Sequence, residues 1–233
     1  MSSSTPNLEA VLQTLLAAFG PQHWWPAESR EEMIIGALLT QNTAWKNVEK
    51  GLARLRRQGG FDFEHLRQLP RKKLEEAIRP CGYFRQKSQR LQKLAAAILN
   101  AGGLDELARR PTAKLRQWLL GLYGIGPETA DSILLYTFGR PVFVIDAYTL
   151  RIARRHDWLG EKDGYDTAQQ LFTRGLPSDT RLFNEYHALL VRIGKDFCRP
   201  RQPDCQTCPL ASYLPDQIFK ATTDKDATKN ETE

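Results

Sequence analysis

LYGIGPETADSILLYTFGRPVFVIDAYTLRIARR, residues 122–155, carries two features that organise the reading of the whole chain. The first is a pair of glycines, Gly124 and Gly126, set among apolar positions ahead of a helical pattern. Glycine accepts the positive φ of a tight turn and lets another chain approach closely. Pro127 suits the first position of a helix, and Glu128 falls in its first turn, where the macrodipole favours a negative charge. Free N–H groups at such a helix start can hold a phosphate. The second feature is Asp146, placed between the apolar run Val142 to Ile145 and a new helical pattern from Ala147 to Arg155. Taken singly, a Gly-x-Gly is a turn and an Asp before a helix is an N-cap. The combination has to be weighed against the rest of the chain.

The chain has 233 residues, 41% of them hydrophobic, enough for one large or two small domains with a sizeable core. A formal net charge of +6 is compatible with a nucleic-acid partner. MSSSTPNLEA at the N-terminus has no apolar signal core, and no run of 18 apolar residues occurs. The expectation is a soluble, intracellular protein, cytoplasmic or nucleoid-associated, with no membrane partner. Four cysteines in such a chain read as metal ligands or thiols before disulfides.

Helical spacing recurs along the chain. Leu8, Val11, Leu12, Leu15 and Leu16 make a stripe that starts near Thr5-Pro6 and ends at Gly20. Ser29 to Glu32 is a capping box for a mostly buried helix from Met33 to Thr40, interrupted by Gln41-Asn42-Thr43. Further helices are expected at Trp45–Leu55, Leu66–Leu69, Leu74–Ile78, Arg85–Asn100 (closed by Gly102-Gly103), Thr112–Leu120, Asp166–Arg174 and Phe183–Gly194. Val142 to Ile145 is the sole strand candidate and is too short to found a sheet. The class is all-α, about ten helices with short loops and a polar tail at 217–233 that cannot bury enough apolar surface to fold.

With these residues in view, the pattern resembles the helix-hairpin-helix DNA glycosylase superfamily, the group that includes endonuclease III. LYGIGPETA and VIDAYTLRIARR carry the likeness, with LLTQNT, CGYFRQKSQRL and FNEYHALLVRIGKDFC. It covers roughly residues 8 to 210. HWWP and QNTAW look like the 3-methyladenine branch rather than the pyrimidine one.

The resemblance implies two helical lobes with DNA lying across the cleft between them. One is a six-helix barrel at 22–140, with the helix-hairpin-helix at about 113–138. The other comprises 7–21 plus 141–216. The expected partner is double-stranded DNA containing a damaged base, and the protein is expected to act as a monomer. Asp146 matches the family's catalytic aspartate, stabilising positive charge on the sugar as in glycoside hydrolysis. Gln41 matches the side chain that fills the gap left by a flipped base. Gly124, Gly126 and Thr129 join it as the DNA-binding set. Strand-cleaving members carry a lysine where this chain has Glu128, and a glutamate cannot form an imine.

Trp24, Trp25 and Trp45, with Glu128, form the candidate base pocket, since electron-rich rings stack on a cationic alkylated purine. Cys198, Cys205 and Cys208 reproduce the first three ligands of the family's [4Fe-4S] cluster, but the fourth position holds Leu214, so the expectation stays open between a cluster held by these three with a solvent or non-Cys group, zinc in its place, and loss of the metal. The reading is therefore a monofunctional glycosylase for alkylated purines. Two alternatives stay open: an endonuclease III-like enzyme on oxidised pyrimidines, and a non-catalytic helix-hairpin-helix DNA-binding protein.

Overall fold

The computed structural model describes residues 6–24 and 27–218. Trp25 and the tail from residue 219 lie outside the described residues. Twelve α-helices follow in order: α1 Leu8–Phe19, α2 Arg30–Leu39, α3 Trp45–Arg57, α4 Phe63–Gln68, α5 Arg71–Ile78, α6 Phe84–Asn100, α7 Gly103–Ala108, α8 Thr112–Leu120, α9 Pro127–Ser132, α10 Ala147–Arg155, α11 Tyr165–Arg174 and α12 Thr180–Asp196. There is no strand among the described residues. The chain groups into two compact units. One runs from the residue after Trp24 to Arg140, and the other combines the chain up to Trp24 with the chain from Pro141 onward.

In the first unit α2 is the central element. Ser29 Oγ accepts from Glu32 N at 3.1 Å and Glu32 Oε2 accepts from Glu28 N at 2.9 Å, which fixes the start of the helix. Met33, Ile34, Ile35, Leu38 and Leu39 are all buried, so the helix is covered on nearly every side rather than along one stripe. It ends where Thr40 Oγ1 bonds back to the Gly36 and Ala37 carbonyls and Asn42 takes a positive φ of 50°.

α8 and α9 form the hairpin. Arg116 on α8 makes a two-pronged ion pair, at 2.7 and 3.0 Å, with Asp131 on α9, whose side chain is fully buried. After Ser132 the helix widens into a π-turn over Ile133–Thr137, and Gly139 closes it at φ 60°.

The second unit packs α10 against α12. Gly194 leaves room for the Tyr148 ring, with which any Cβ there would collide. Phe143, Phe172, Phe183 and Tyr186 fill the interior, the first two stacked with ring centres 4.5 Å apart. Residues 142–145 belong to no helix or strand. Side chains on α11 serve their buried main chain instead: Gln169 Nε2 donates to Phe143 O at 2.7 Å, and Tyr165 Oη accepts from Ile145 N at 3.4 Å.

Several sequence expectations move. The first helix is capped by Asn7, whose Oδ1 accepts from Ala10 N at 3.0 Å; Thr5, at the start that the sequence suggests, lies outside the described residues. Gly102 and Gly103, both at positive φ, follow the end of α6 at Asn100 where the sequence places it, but they lead directly into α7, which the sequence reading passes over.

Candidate active site

Asp146 caps α10. Its Oδ1 accepts from Thr149 N at 2.7 Å, and Oδ2 stands 3.6 Å from Nε2 of His187 on α12. The residue is 8% exposed. Burial pushes its carboxyl up, but the His187 imidazole and the Thr149 N–H outweigh that and hold it below the ordinary aspartate value. The carboxylate is therefore ionised at neutral pH while largely removed from water, where a fixed charge acts most strongly on a cation formed beside it. Tyr148, next but one in the chain, is half-buried; burial and the Asp146 charge raise its phenol.

The hairpin gathers a second group. Gly124 has φ +79°, and the stem of Arg90 from α6 occupies the place a Cβ would need. Both glycine properties read from the sequence are used at this one position. Gly126 differs: its φ of −95° is open to any residue, and a Cβ there would meet nothing within 4 Å. Its bareness leaves the main chain accessible from outside. Thr129 is buried, and its Oγ1 accepts from Gln41 Nε2 at 3.0 Å. Gln41 Nε2 also donates to Gly124 O at 2.9 Å, and its Oε1 accepts from Arg90 Nη1 at 2.7 Å. The structure thus brings Gln41, Gly124 and Thr129 together, with the Gln41 amide turned inward onto the hairpin. Glu128 is exposed in the first turn of α9.

The tryptophans are less uniform. Trp45 is half-buried at the start of α3, and its Nε1 donates to Glu49 at 2.9 Å. Trp24 is half-buried, with the Lys195 ammonium 5.5 Å from its ring centre. Trp25 lies outside the described residues.

Two further residues support both groups. His187, which the resemblance marks only as a helix position that is not a metal ligand, faces Asp146. Lys87 is 1% exposed and donates to Leu39 O at 2.9 Å, Thr43 Oγ1 at 2.6 Å and Cys81 O at 2.8 Å. Burial lowers its pKa to about 8, with Cys81 opposing and Arg90 adding to the shift. In sequence it reads, with Arg85, as a basic residue near the expected DNA face; the structure instead turns it inward onto protein acceptors.

The cysteine segment does not fit a four-thiolate cluster. Cys198, Cys205 and Cys208 are all buried, but Leu214 stands at the expected fourth position. The Arg155 guanidinium donates to Cys198 Sγ at 3.0 Å. Burial, with smaller contributions from Cys198, Cys205 and Asp204, pushes the Cys208 thiol up to about 11 against the Leu210 N–H. Among the described residues no group of three or more His, Cys, Asp or Glu is placed to hold a metal ion.

The family described as HhH-GPD superfamily base excision DNA repair protein matches residues 35–178, which include the hairpin and Asp146. The chain belongs to this superfamily. As an HhH-GPD protein it is a DNA glycosylase of base excision repair, a hydrolase of N-glycosyl bonds. A Methanocaldococcus jannaschii protein whose name places it among DNA repair glycosylases is 41% identical over 206 residues, 87% of this chain and 93% of the relative. Endonuclease III of Thermotoga maritima is 27% identical over 78% of this chain and 80% of its own length. Among solved structures, H. pylori 3-methyladenine DNA glycosylase bound to 1,N6-ethenoadenine is 28% identical, with a TM-score of 0.69 over 80% of this chain and 96% of that one. An endonuclease III–DNA complex is 22% identical with a TM-score of 0.81 over 94% and 98%, which shows a shared fold. Within the described residues no helix of this HhH-GPD protein is long and apolar enough to cross a membrane.

Proposed function

We propose that this glycosylase is monofunctional and removes alkylated purines, 3-methyladenine among them, from double-stranded DNA, working as a monomer. The observation that carries the reading is the glutamate at position 128, with no lysine between Lys114 and Lys162. Strand cleavage by the lyase route needs an amine that can form an imine with the sugar, and the hairpin offers a carboxylate in its place.

What remains is hydrolysis. The departing base takes the electron pair of the N-glycosidic bond, and positive charge builds on the sugar. The Asp146 carboxylate stabilises that charge and accepts a proton from the attacking water, whose oxygen bonds to the sugar carbon. The products are the free base and an abasic site with an intact strand. A purine alkylated on a ring nitrogen already carries positive charge and leaves as a neutral molecule, so no separate acid is required. Trp24, Trp25 and Trp45, with Glu128, are assigned to holding that cationic base. Gln41 is assigned to the gap left by the flipped nucleotide, and Gly124, Gly126 and Thr129 to the phosphate contact through the hairpin main chain. Similarity to the H. pylori enzyme supports the choice of substrate.

The test is chromatographic identification of the bases released from methylated duplex, with borohydride trapping alongside. Free 3-methyladenine and no trapped adduct are expected. A trapped covalent adduct on duplex carrying oxidised thymine would move the protein to the endonuclease III-like reading.

A further inference from the structure

The side chain assigned to the base gap is not free to enter it. Gln41 spends both amide hydrogens on Gly124 O and Thr129 Oγ1 and receives the Arg90 guanidinium on its oxygen. All three bonds are of ordinary length, from 2.7 to 3.0 Å. The turn that carries Gln41 is fixed on both flanks by one buried ammonium, because Lys87 holds Leu39 O before it and Thr43 Oγ1 after it. Moving that main chain would strip acceptors from a buried cation, so the turn stays and only the Gln41 side chain can rotate. Lys87 and Arg90 lie three apart on α6 and therefore on one face of it. The Arg90 contact is the charged one of the three and the strongest. Its Nε is nevertheless buried with no hydrogen-bond partner among the described residues, so the docked arrangement leaves the guanidinium incompletely satisfied.

We propose that Arg90 is a positioning residue that keeps Gln41 docked on the hairpin, and that Gln41 enters the DNA only after the Arg90–Gln41 bond is released. The inference rests on the gap-filling role proposed above for Gln41. In the undocked form the guanidinium is available to a phosphate, which replaces the lost amide with a stronger acceptor. Docking also withholds a polar side chain from undamaged duplex, where there is no orphaned base to bond.

The experiment uses the full chain and a duplex with a stable abasic-site analogue opposite 2-aminopurine, whose fluorescence follows entry of a side chain into the gap after rapid mixing. Arg90→Met keeps the stem and removes the donor. Breaking one charge-assisted bond shifts an equilibrium by about 10-fold or more, so the entry phase should quicken by about that factor. Arg90→Lys, which restores a donor, should return the rate towards the wild type. Thr129→Val loosens the same dock from the hairpin side and should also quicken entry, which keeps the test available if the Arg90→Met protein does not fold. In a Gln41→Ala background neither change should have any effect. An entry rate unchanged in both Arg90→Met and Thr129→Val, or a quickening that persists without Gln41, overturns the proposal. If Gln41→Ala alone leaves the fluorescence change of the wild type intact, the gap-filling role itself has failed and the dock falls with it.

Discussion

Nε2 of His187 stands 3.6 Å from Oδ2 of Asp146, joining the start of α10 to the middle of α12. Asp146 is ionised in spite of its burial because of this imidazole and the Thr149 N–H. His187→Leu should therefore raise the Asp146 midpoint, followed by carboxyl NMR, and shift the acid limb of the pH profile of base release to higher pH. The sign for stability follows from the depressed pKa. Asp146 contributes stability above its unfolded value of about 3.9, and that contribution disappears as pH falls through the lower folded value. Removing His187 narrows this window from the acid side. An unmoved midpoint would mean that Thr149 alone holds the charge.

The hairpin depends on a different pair. Asp131 has no solvent exposure and both its oxygens are bonded by Arg116. Asp131→Ala removes both carboxylate bonds that tie the Arg116 guanidinium, 27% exposed, to this point of α9. Loss of one partner of a buried pair costs about 3–5 kcal/mol, and partial exposure of the arginine places the expectation at the lower end. Denaturant unfolding measures it, and a cost below about 1 kcal/mol, the level of a surface pair, would contradict it.

The two hairpin glycines should respond in opposite ways. At Gly124 a side chain meets both a positive φ and the Arg90 stem, so Gly124→Ala should destabilise the free protein by about 1–3 kcal/mol. Gly126→Ala meets open space at an ordinary φ. It should leave stability within about 0.5 kcal/mol and weaken DNA binding instead, read by anisotropy at fixed salt. Equal effects of the two on stability would contradict this division.

Much of the architecture was readable in sequence because it rests on local chemistry. The capping box at Ser29 and Glu32 and the cap at Asp146 are short-range hydrogen bonds, and the apolar spacing around them is helical. α7 was hidden because two glycines usually end a helical segment, and here their positive φ values turn it into the next one. Around the candidate site the unreadable part is what lies far apart in sequence. Nothing in EYHAL marks His187 as facing Asp146, and nothing in FRQKSQR marks Lys87 and Arg90 as inward cations holding the Gln41 turn. Such pairings arise from packing, which has no period in the sequence.

The three cysteines lead to an expectation about metal. With Leu214 in the fourth position, purified protein should hold well under one iron per chain and lack the visible absorption of a cluster. Cys208→Ser should then cost little, whereas loss of a ligand from a structural metal site removes much of the folding energy. Stoichiometric iron, measured together with global unfolding of Cys208→Ser, would overturn this.

The most direct test of the whole account compares wild type with Asp146→Asn on methylated duplex under single-turnover conditions. Asparagine can keep the cap, so folding and DNA affinity should persist. Release of 3-methyladenine should fall by at least about 100-fold, and in the wild type the strand should break only after alkali. Unchanged release by Asp146→Asn, or breaks without alkali, would contradict an aspartate-assisted hydrolysis.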